Sequence, residues 1–399
     1  MKQYNSISLK NPFYEISLDT ILLGIYFFVL PFDFIGSEFG SITKLIALLP
    51  VGFTLLCNVI RNMKINMYLL IIFVLYYVLN YASVLRAPIP VWAEQRASTL
   101  ILNYLMILIC TSVPKTSKEI SFLEKAIICS VVWILFFVGF SSINSINGRM
   151  FIGTENYIQD PNYLCGFLIF PILYFMKKLI VKKNISYSVL MLLIMLYIIF
   201  RTGSRGGLLA LVIAIFAYLM CAEAKKMSSK ILGLMVVSFS ILIIFMLFVP
   251  DEIMQRYNLS YTLNDGAAGR FDIWRDLWNK YQDFDLWQKW FGGGSGNVRY
   301  FSFYRNVAHN LWLETLIELG IFGLVNLIVI HAYFIVKAWK TKDKLYFATL
   351  IGYEVMTMSL SLYTYKPMFA IFLMINLVRF EQNAKPESLP QPGNLYDAC

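Results

Sequence analysis

Apolar runs of bilayer length recur along this chain at short intervals. A helix needs about 20 mainly apolar residues to cross the hydrocarbon core of a membrane. Twelve such segments are predicted: 18–35, 43–60, 66–84, 98–113, 124–142, 162–179, 186–200, 206–222, 231–249, 310–336, 345–363 and 367–380. Charged residues are 15% of the chain and hydrophobic residues 58%, whereas a soluble domain carries roughly 25% charge. The expected fold class is all-α: a polytopic membrane protein with about 12 transmembrane helices and one large extracytoplasmic loop between helices 9 and 10. The first apolar run begins near Leu18 with no small-residue cleavage site after it, so no cleaved leader is expected.

An even number of spans puts both termini on one side, and the distribution of basic residues says which. With the N-terminus cytoplasmic, 20 of the 34 Lys and Arg residues fall inside, and the short loops show the bias most clearly. The expected organisation is helices 1–9 over residues 1–249, an extracytoplasmic loop with an interfacial helix over 250–309, helices 10–12 over 310–380 and a cytoplasmic tail over 381–399. The identity of the bases says more than their number. Inside there are 18 Lys and 2 Arg; outside there are 10 Arg and 4 Lys. Lysine is a hydrated point charge suited to topology, whereas arginine offers a planar fork that grips phosphate bidentately. The net charge of +10 therefore points to a phosphate-bearing ligand on the outer face, not to nucleic acid. The plainer reading of any one arginine is an anchor at the headgroups or a partner for a carboxylate.

The longest polar interval runs from Asp251 to Asn310 and holds four of the eight tryptophans, Trp274, Trp278, Trp287 and Trp290. A connection of this length is either functional or disordered, and its aromatic content argues against disorder. Phe271, Trp274, Leu277, Trp278, Tyr281 and Phe284 recur at helical spacing. That pattern predicts an amphipathic helix, with interfacial anchoring as one role for its rings and stacking on sugar faces as the other. Gly292-Gly293-Gly294-Ser295-Gly296-Asn297 then predicts a flexible or ligand-hugging turn.

Polar punctuation elsewhere is sparse. Arg201-Thr202-Gly203-Ser204-Arg205-Gly206-Gly207 sets two arginines and three glycines at a helix start, where backbone N–H groups add partial positive charge. This is either a diphosphate cradle or a tight turn with snorkelling arginines. Asp160-Pro161-Asn162-Tyr163 suits a helix start. Asn80 and Asn103 are expected to hydrogen-bond between helices.

Two histidines, His309 and His331, lie 22 residues apart, or about 33 Å along a helix, so no paired histidine metal site is expected. His331 reads as a packing residue. His309, on the arginine-rich side, is a candidate general base, or else a structural residue at a helix start. Glu314 and Glu318 follow one turn apart; an intramembrane carboxylate is functional by default unless paired, here with Arg201 or Arg205. Glu354 has no evident partner. The six cysteines, five within apolar runs, form neither a zinc pattern nor a disulfide framework.

Thr202-Gly203-Ser204-Arg205-Gly206-Gly207 with Leu-Leu-Ala-Leu after it resembles the central motif of the O-antigen ligase and Wzy-type polymerase family. Ala308-His309-Asn310-Leu311-Trp312-Leu313-Glu314 with Glu318-Leu319-Gly320 resembles its second motif. Gly269-Arg270 with Trp274 is similar to the arginine element of the family's large periplasmic loop, and Asp160-Pro161-Asn162-Tyr163 to its Asn motif. The likeness covers roughly residues 150–325. The glycine run at 292–297 departs from it, because alternating glycines and apolar residues are expected there. The resemblance implies glycan transfer from an undecaprenyl-diphosphate carrier to a hydroxyl acceptor, on the outer face of the bacterial cytoplasmic membrane. It implies His309, Arg205 and Arg270 as catalytic residues, with Arg201, Arg305, Asn162 and Glu314 at the substrate. No metal or cofactor enters that scheme. The partners are the lipid-linked glycan, a glycan or lipid acceptor, the bilayer itself and polysaccharide-assembly proteins. Polymerase and ligase are not separated by these residues. A lipid-linked oligosaccharide transporter or flippase is the competing class, and it should show internal repeats and interrupted helices at mid-membrane, which are not evident.

Overall fold

The computed structural model describes residues 16–34, 36–37, 40–59, 64–140, 145–146, 149–154, 157–158, 160–221, 235, 247, 249–258, 260 and 266–383. Among the described residues, the helices with given bounds before the long polar interval are α1 (Leu18–Phe28), α2 (Ile42–Val59), α3 (Met67–Ala82), α4 (Pro90–Cys110), α5 (Ser117–Cys129), α6 (Val131–Phe140), α7 (Pro161–Ile180), α8 (Ile185–Arg201) and α9 (Arg205–Cys221). Within that interval lie α10 (Asp251–Arg256), α11 (Gly266–Asp283), α12 (Leu286–Phe291) and α13 (Val298–Phe301). The chain closes with α14 (Leu311–Trp339), α15 (Leu345–Thr357) and α16 (Lys366–Asn383). The described strands are two residues each and pair as three antiparallel hairpins.

Four stretches are long and apolar enough to cross a membrane: Met67–Arg86, Ser117–Val138, Pro161–Ile180 and Leu311–Trp339. Shorter apolar helices accompany them at Leu18–Phe28, Ile42–Cys57, Ile185–Arg201, Arg205–Cys221 and Lys366–Val378. The chain is an all-α, multi-pass membrane protein. The predicted span 231–249 lies outside the described residues except at 235, 247 and 249, and the predicted tail lies outside them beyond Asn383.

Among the boundaries that differ from the hydropathy reading, two have a plain local reason. The fifth predicted segment starts early, at Ser117, because Thr116 and Glu119 form a reciprocal capping box over polar residues that hydropathy ignores. The eleventh stops early, at Thr357. The Thr357 hydroxyl turns back to the Glu354 carbonyl at 2.6 Å, and Pro367 sets the start of α16. Residues 358–365 are consequently non-helical, which frees Ser359 and Ser361 to face other elements.

The helices around the later site are brought together by small residues. Gly206, Ala210 and Ala214 recur every fourth residue on α9, the spacing that lets helix backbones approach closely. A side chain at Gly352 of α15 would stand 3.0 Å from the Ala214 Cβ and 3.3 Å from the Ala210 carbonyl. Gly207 faces Cys165 of α7 in the same way. One continuous apolar core runs through both halves, with Phe334 stacked on Phe372 at 3.9 Å and Phe73 on Tyr104 at 4.1 Å.

Helix α14 is broken at Gly320, whose φ of 66° and ψ of −163° belong to glycine alone. The break exposes carbonyls that an intact helix would consume, and the glycine run meets them. Gly293 N–H donates to the Ile317 carbonyl and Gly294 N–H to the Glu318 carbonyl, both at 2.9 Å. Ser295 donates its hydroxyl to Asn80 at 2.7 Å, and Ile89 N–H donates to the Asn297 side chain at 2.8 Å. The turn predicted as flexible or ligand-hugging is therefore a plug packed against protein, and the partner of Asn80 is the plug, not a neighbouring helix. Arg96 of α4 closes the arrangement by pairing with Glu318 and with Glu314 at 3.4 Å. The expected partners of these glutamates, Arg201 and Arg205, are thus replaced by an arginine from an earlier helix.

Gly320→Ala is expected to destabilise the protein by about 1–3 kcal/mol from backbone strain alone, with the Cβ driven into the Trp290 backbone besides. Gly52, a helical glycine with open space around its Cβ, is the control. Thermal unfolding in detergent should show a lowered midpoint for Gly320→Ala and none for Gly52→Ala; equal midpoints would mean the break is incidental.

Candidate active site

A cavity of about 360 Å³ opens where α7, α9, α11 and the start of α14 converge. Among the described residues, four arginines line it, Arg149, Arg205, Arg256 and Arg270, together with His309 and one carboxylate, Asp160. Asn162, Trp274, Asn306 and Ser359 add polar atoms or ring surface to the wall.

Each of these side chains is set by a local device. Asp160 caps α7, its carboxylate accepting from Asn162 N–H at 2.8 Å and from the Asn162 side-chain amide at 2.7 Å, with Pro161 at the first helical position. At the other cap, Gly203 turns the chain with φ 58°, and the Ser204 hydroxyl accepts from Gly207 N–H at 3.0 Å to start α9. Arg205 is therefore held in the first turn of α9. Gly206 is glycine because the Ser359 hydroxyl occupies the space of a Cβ. Two further arginines bind this turn from outside the motif. Arg149 Nε donates to the Thr202 carbonyl at 2.6 Å and Arg256 Nε to the Gly203 carbonyl at 3.3 Å.

On the opposite wall Arg270, Ile273 and Trp274 share one face of α11, three and four residues apart. Trp274 Nε1 donates to the Ala308 carbonyl at 2.7 Å, which ties that face to the residue before His309. His309 itself has a left-handed backbone, φ 49°, a conformation costing a non-glycine residue on the order of 1–3 kcal/mol and concentrated at functional sites. It turns the chain so that the Asn310 side chain accepts from Trp312 and Leu313 N–H, both at 3.1 Å, to begin α14.

The electrostatics follow from crowding like charges. Burial pushes the Arg270 guanidinium below its usual range, with Arg205 and Arg256 adding to the effect and Asp160 opposing it. Burial likewise lowers Arg149, with Arg256 contributing and Asp160 opposing. Arginine stays charged through such shifts, so like charges are held together here against mutual repulsion. His309 is lowered by burial first and then by Arg270 and Arg299, with Asp160 opposing, so its imidazole is neutral at pH 7. Among the described residues no three His, Cys, Asp or Glu side chains gather as a metal-ligand group.

The cavity thus brings together Arg205, Arg270, His309 and Asn162, four residues singled out in the sequence. Arg201, Arg305 and Glu314 do not line it. Arg201 donates to the Tyr197 hydroxyl at 3.1 Å on its own helix, and exposed Arg305 donates to the Tyr300 carbonyl at 3.2 Å. Glu314 is buried behind the wall, paired with Arg96 and accepting from the Ser361 hydroxyl. Arg149, Arg256 and Ser359 were not singled out, and Asp160 entered only as part of the Asp160-Pro161-Asn162-Tyr163 stretch. Arg149 and Arg256 sit in no motif, and Ser359 lay inside a predicted span. Glu354, without an evident partner in the sequence, meets His331 Nδ1 at 2.8 Å in the core.

Residues 190–328, from α8 to the middle of α14, match the O-antigen ligase family. This stretch is an O-antigen ligase domain. No curated protein matches the chain. The O-antigen ligase domain supplies Arg205, Arg256, Arg270 and His309, while Arg149, Asp160, Asn162 and Ser359 reach the cavity from outside the matched residues. The protein is accordingly a membrane enzyme of the glycan ligase and polymerase kind.

Proposed function

We propose that this cavity transfers glycan from an undecaprenyl-diphosphate-linked donor to a hydroxyl acceptor at the outer face of the cytoplasmic membrane, in a chain of about 12 spans with both termini cytoplasmic. The observation that carries the reading is four arginines and a histidine gathered, among the described residues, around one cavity with one opposing carboxylate. Arg205 and Arg270, on facing walls, clamp the diphosphate, with Arg149 and Arg256 adding charge behind Arg205. His309 takes the proton of the acceptor hydroxyl as its oxygen attacks the anomeric carbon. The new C–O bond forms as the bond from that carbon to the diphosphate oxygen breaks, and the electron pair leaves with the lipid diphosphate. A single displacement of this kind inverts the anomeric centre. His309 then returns its proton to water.

Negative charge develops on the departing diphosphate, and donors already fixed in place stabilise it without reorganisation. Asn162 is held by Asp160 at the cavity wall, where its amide serves the sugar hydroxyls. Arg201 and Arg305 stay outside this scheme. Glu314 acts at one remove, by holding the 358–365 segment that carries Ser359.

Arginines in the role of a divalent cation lead to a direct test. Purified protein in nanodiscs, given lipid-linked glycan and acceptor in excess chelator, should release lipid diphosphate and form the glycoside at the rate seen with Mg²⁺. A strict requirement for Mg²⁺ or Mn²⁺ would remove the arginines from that role. Glycan translocated without any new glycosidic bond would replace the enzyme reading with the transporter one.

A further inference from the structure

Helix α11, the predicted interfacial helix, spends its apolar face on the protein. Ile273, Leu277, Tyr281 and Phe284 are buried in a cluster with Ile317 of α14 and Val298 of α13. The next helix, α12, does the reverse. Its inner side is fixed: Trp290 and Phe291 each pack on Phe322 of α14 at 5.1 Å, and its C-terminal backbone closes on Gly320. Asp285 caps its start by accepting from Gln288 N–H at 2.7 Å. Leu286 and Trp287 are nevertheless 75% and 61% exposed, Trp287 lying against the Phe291 ring at 4.2 Å with Trp290 beside it at 40%. A rigid helix showing large apolar groups to solvent has a partner.

Two apolar faces run into this patch. On α14 the exposed Val325 and Ile328 lead up to exposed Phe322, which touches Trp290. On the span Met67–Arg86 the exposed Val78 and Tyr81 lead to Leu85, 93% exposed, and then to Arg86. Arg86 lies over the Phe291 ring at 5.5 Å. Both stripes belong to stretches long and apolar enough to cross a membrane, so their exposed faces meet lipid. The patch is their continuation, and it changes from aliphatic to tryptophan and arginine, as residues do at the level of the headgroups.

The geometry points to α12, with Leu85, as a foot set into the leaflet on the cavity's side: an interaction surface for the lipid interface, not for a protein partner. Because Gly293 and Gly294 follow it directly into the break of α14, the foot fixes the depth of the plug, and through α14 that of His309.

Site-directed spin labels read this directly in nanodiscs holding one copy of the chain. Trp287→Cys is the probe, Val325→Cys the lipid-facing reference and Arg275→Cys, an exposed charged position on α11, the water-facing one. The ratio of oxygen to nickel-chelate accessibility at position 287 is expected to fall closer to that at 325 than to that at 275. High nickel-chelate accessibility at 287 would leave the patch facing water and open to a protein partner. Poor accessibility to both reagents would bury it under protein. Either result overturns the proposal.

Discussion

Arg270→Ala is expected to lower glycan transfer by a factor on the order of 10² to 10³, the loss typical of removing one preorganised donor to developing negative charge. Arg270 is half-buried, close enough to Arg205 and Arg256 to be disfavoured by both, and tethered through Trp274 to the carbonyl before His309. A group kept in such a position at an electrostatic cost serves a ligand that reverses the cost. Arg270→Lys should recover little, because the ammonium keeps the charge and loses the fork. The same holds for Arg205. Both variants should also weaken donor binding, visible as a raised KM for lipid-linked glycan beside the lowered kcat. Wild-type turnover in the two lysine variants, in single-copy nanodiscs, would leave the clamp without a function.

The second large effect concerns His309. His309→Ala should cost a factor on the order of 10² or more in kcat, as general-base loss does, with donor KM little changed. The pH profile sharpens this. Burial and Arg270 lower the His309 pKa below its ordinary 6.5, so the base form persists to a lower pH than for a free imidazole. Activity should therefore fall only as pH drops through that lowered value. In Arg270→Ala one depressing charge is gone, so the His309 pKa rises and the acid limb of the residual activity moves to higher pH. An acid limb unmoved by that substitution, or full activity in His309→Ala, would return His309 to the role of a helix-start residue.

Much of this was legible in the chain, for uneven reasons. Bilayer-length apolar runs and the Arg205, Arg270 and His309 motifs are local signals, and local sequence carries them. The glycine run is instructive because its glycines read equally well as room for a ligand or room for a backbone. Only the break at Gly320, itself a lone glycine in an apolar helix, decides between them. Arg96 and Ser359 were invisible for a different cause. Arg96 reads as one more surface base until its side chain is seen to reach Glu314 and Glu318 of α14. Ser359 reads as membrane-embedded until the Thr357 hydroxyl ends the helix. The amphipathic pattern of α11 was read correctly as a helix, but periodicity gives a face without naming what covers it.

The break in α14 also imposes an order of construction. An interrupted helix within a bilayer leaves main-chain carbonyls that lipid cannot satisfy. Here those of Ile317 and Glu318 are answered by Gly293 and Gly294, residues that precede α14 in the chain. During synthesis the donors exist before the acceptors, waiting in a polar segment already made when α14 emerges. The plug also lies in the chain between the cavity-lining residues of α11 and His309, which stands eleven residues before Gly320 at the head of α14, so the break and the cavity share one support.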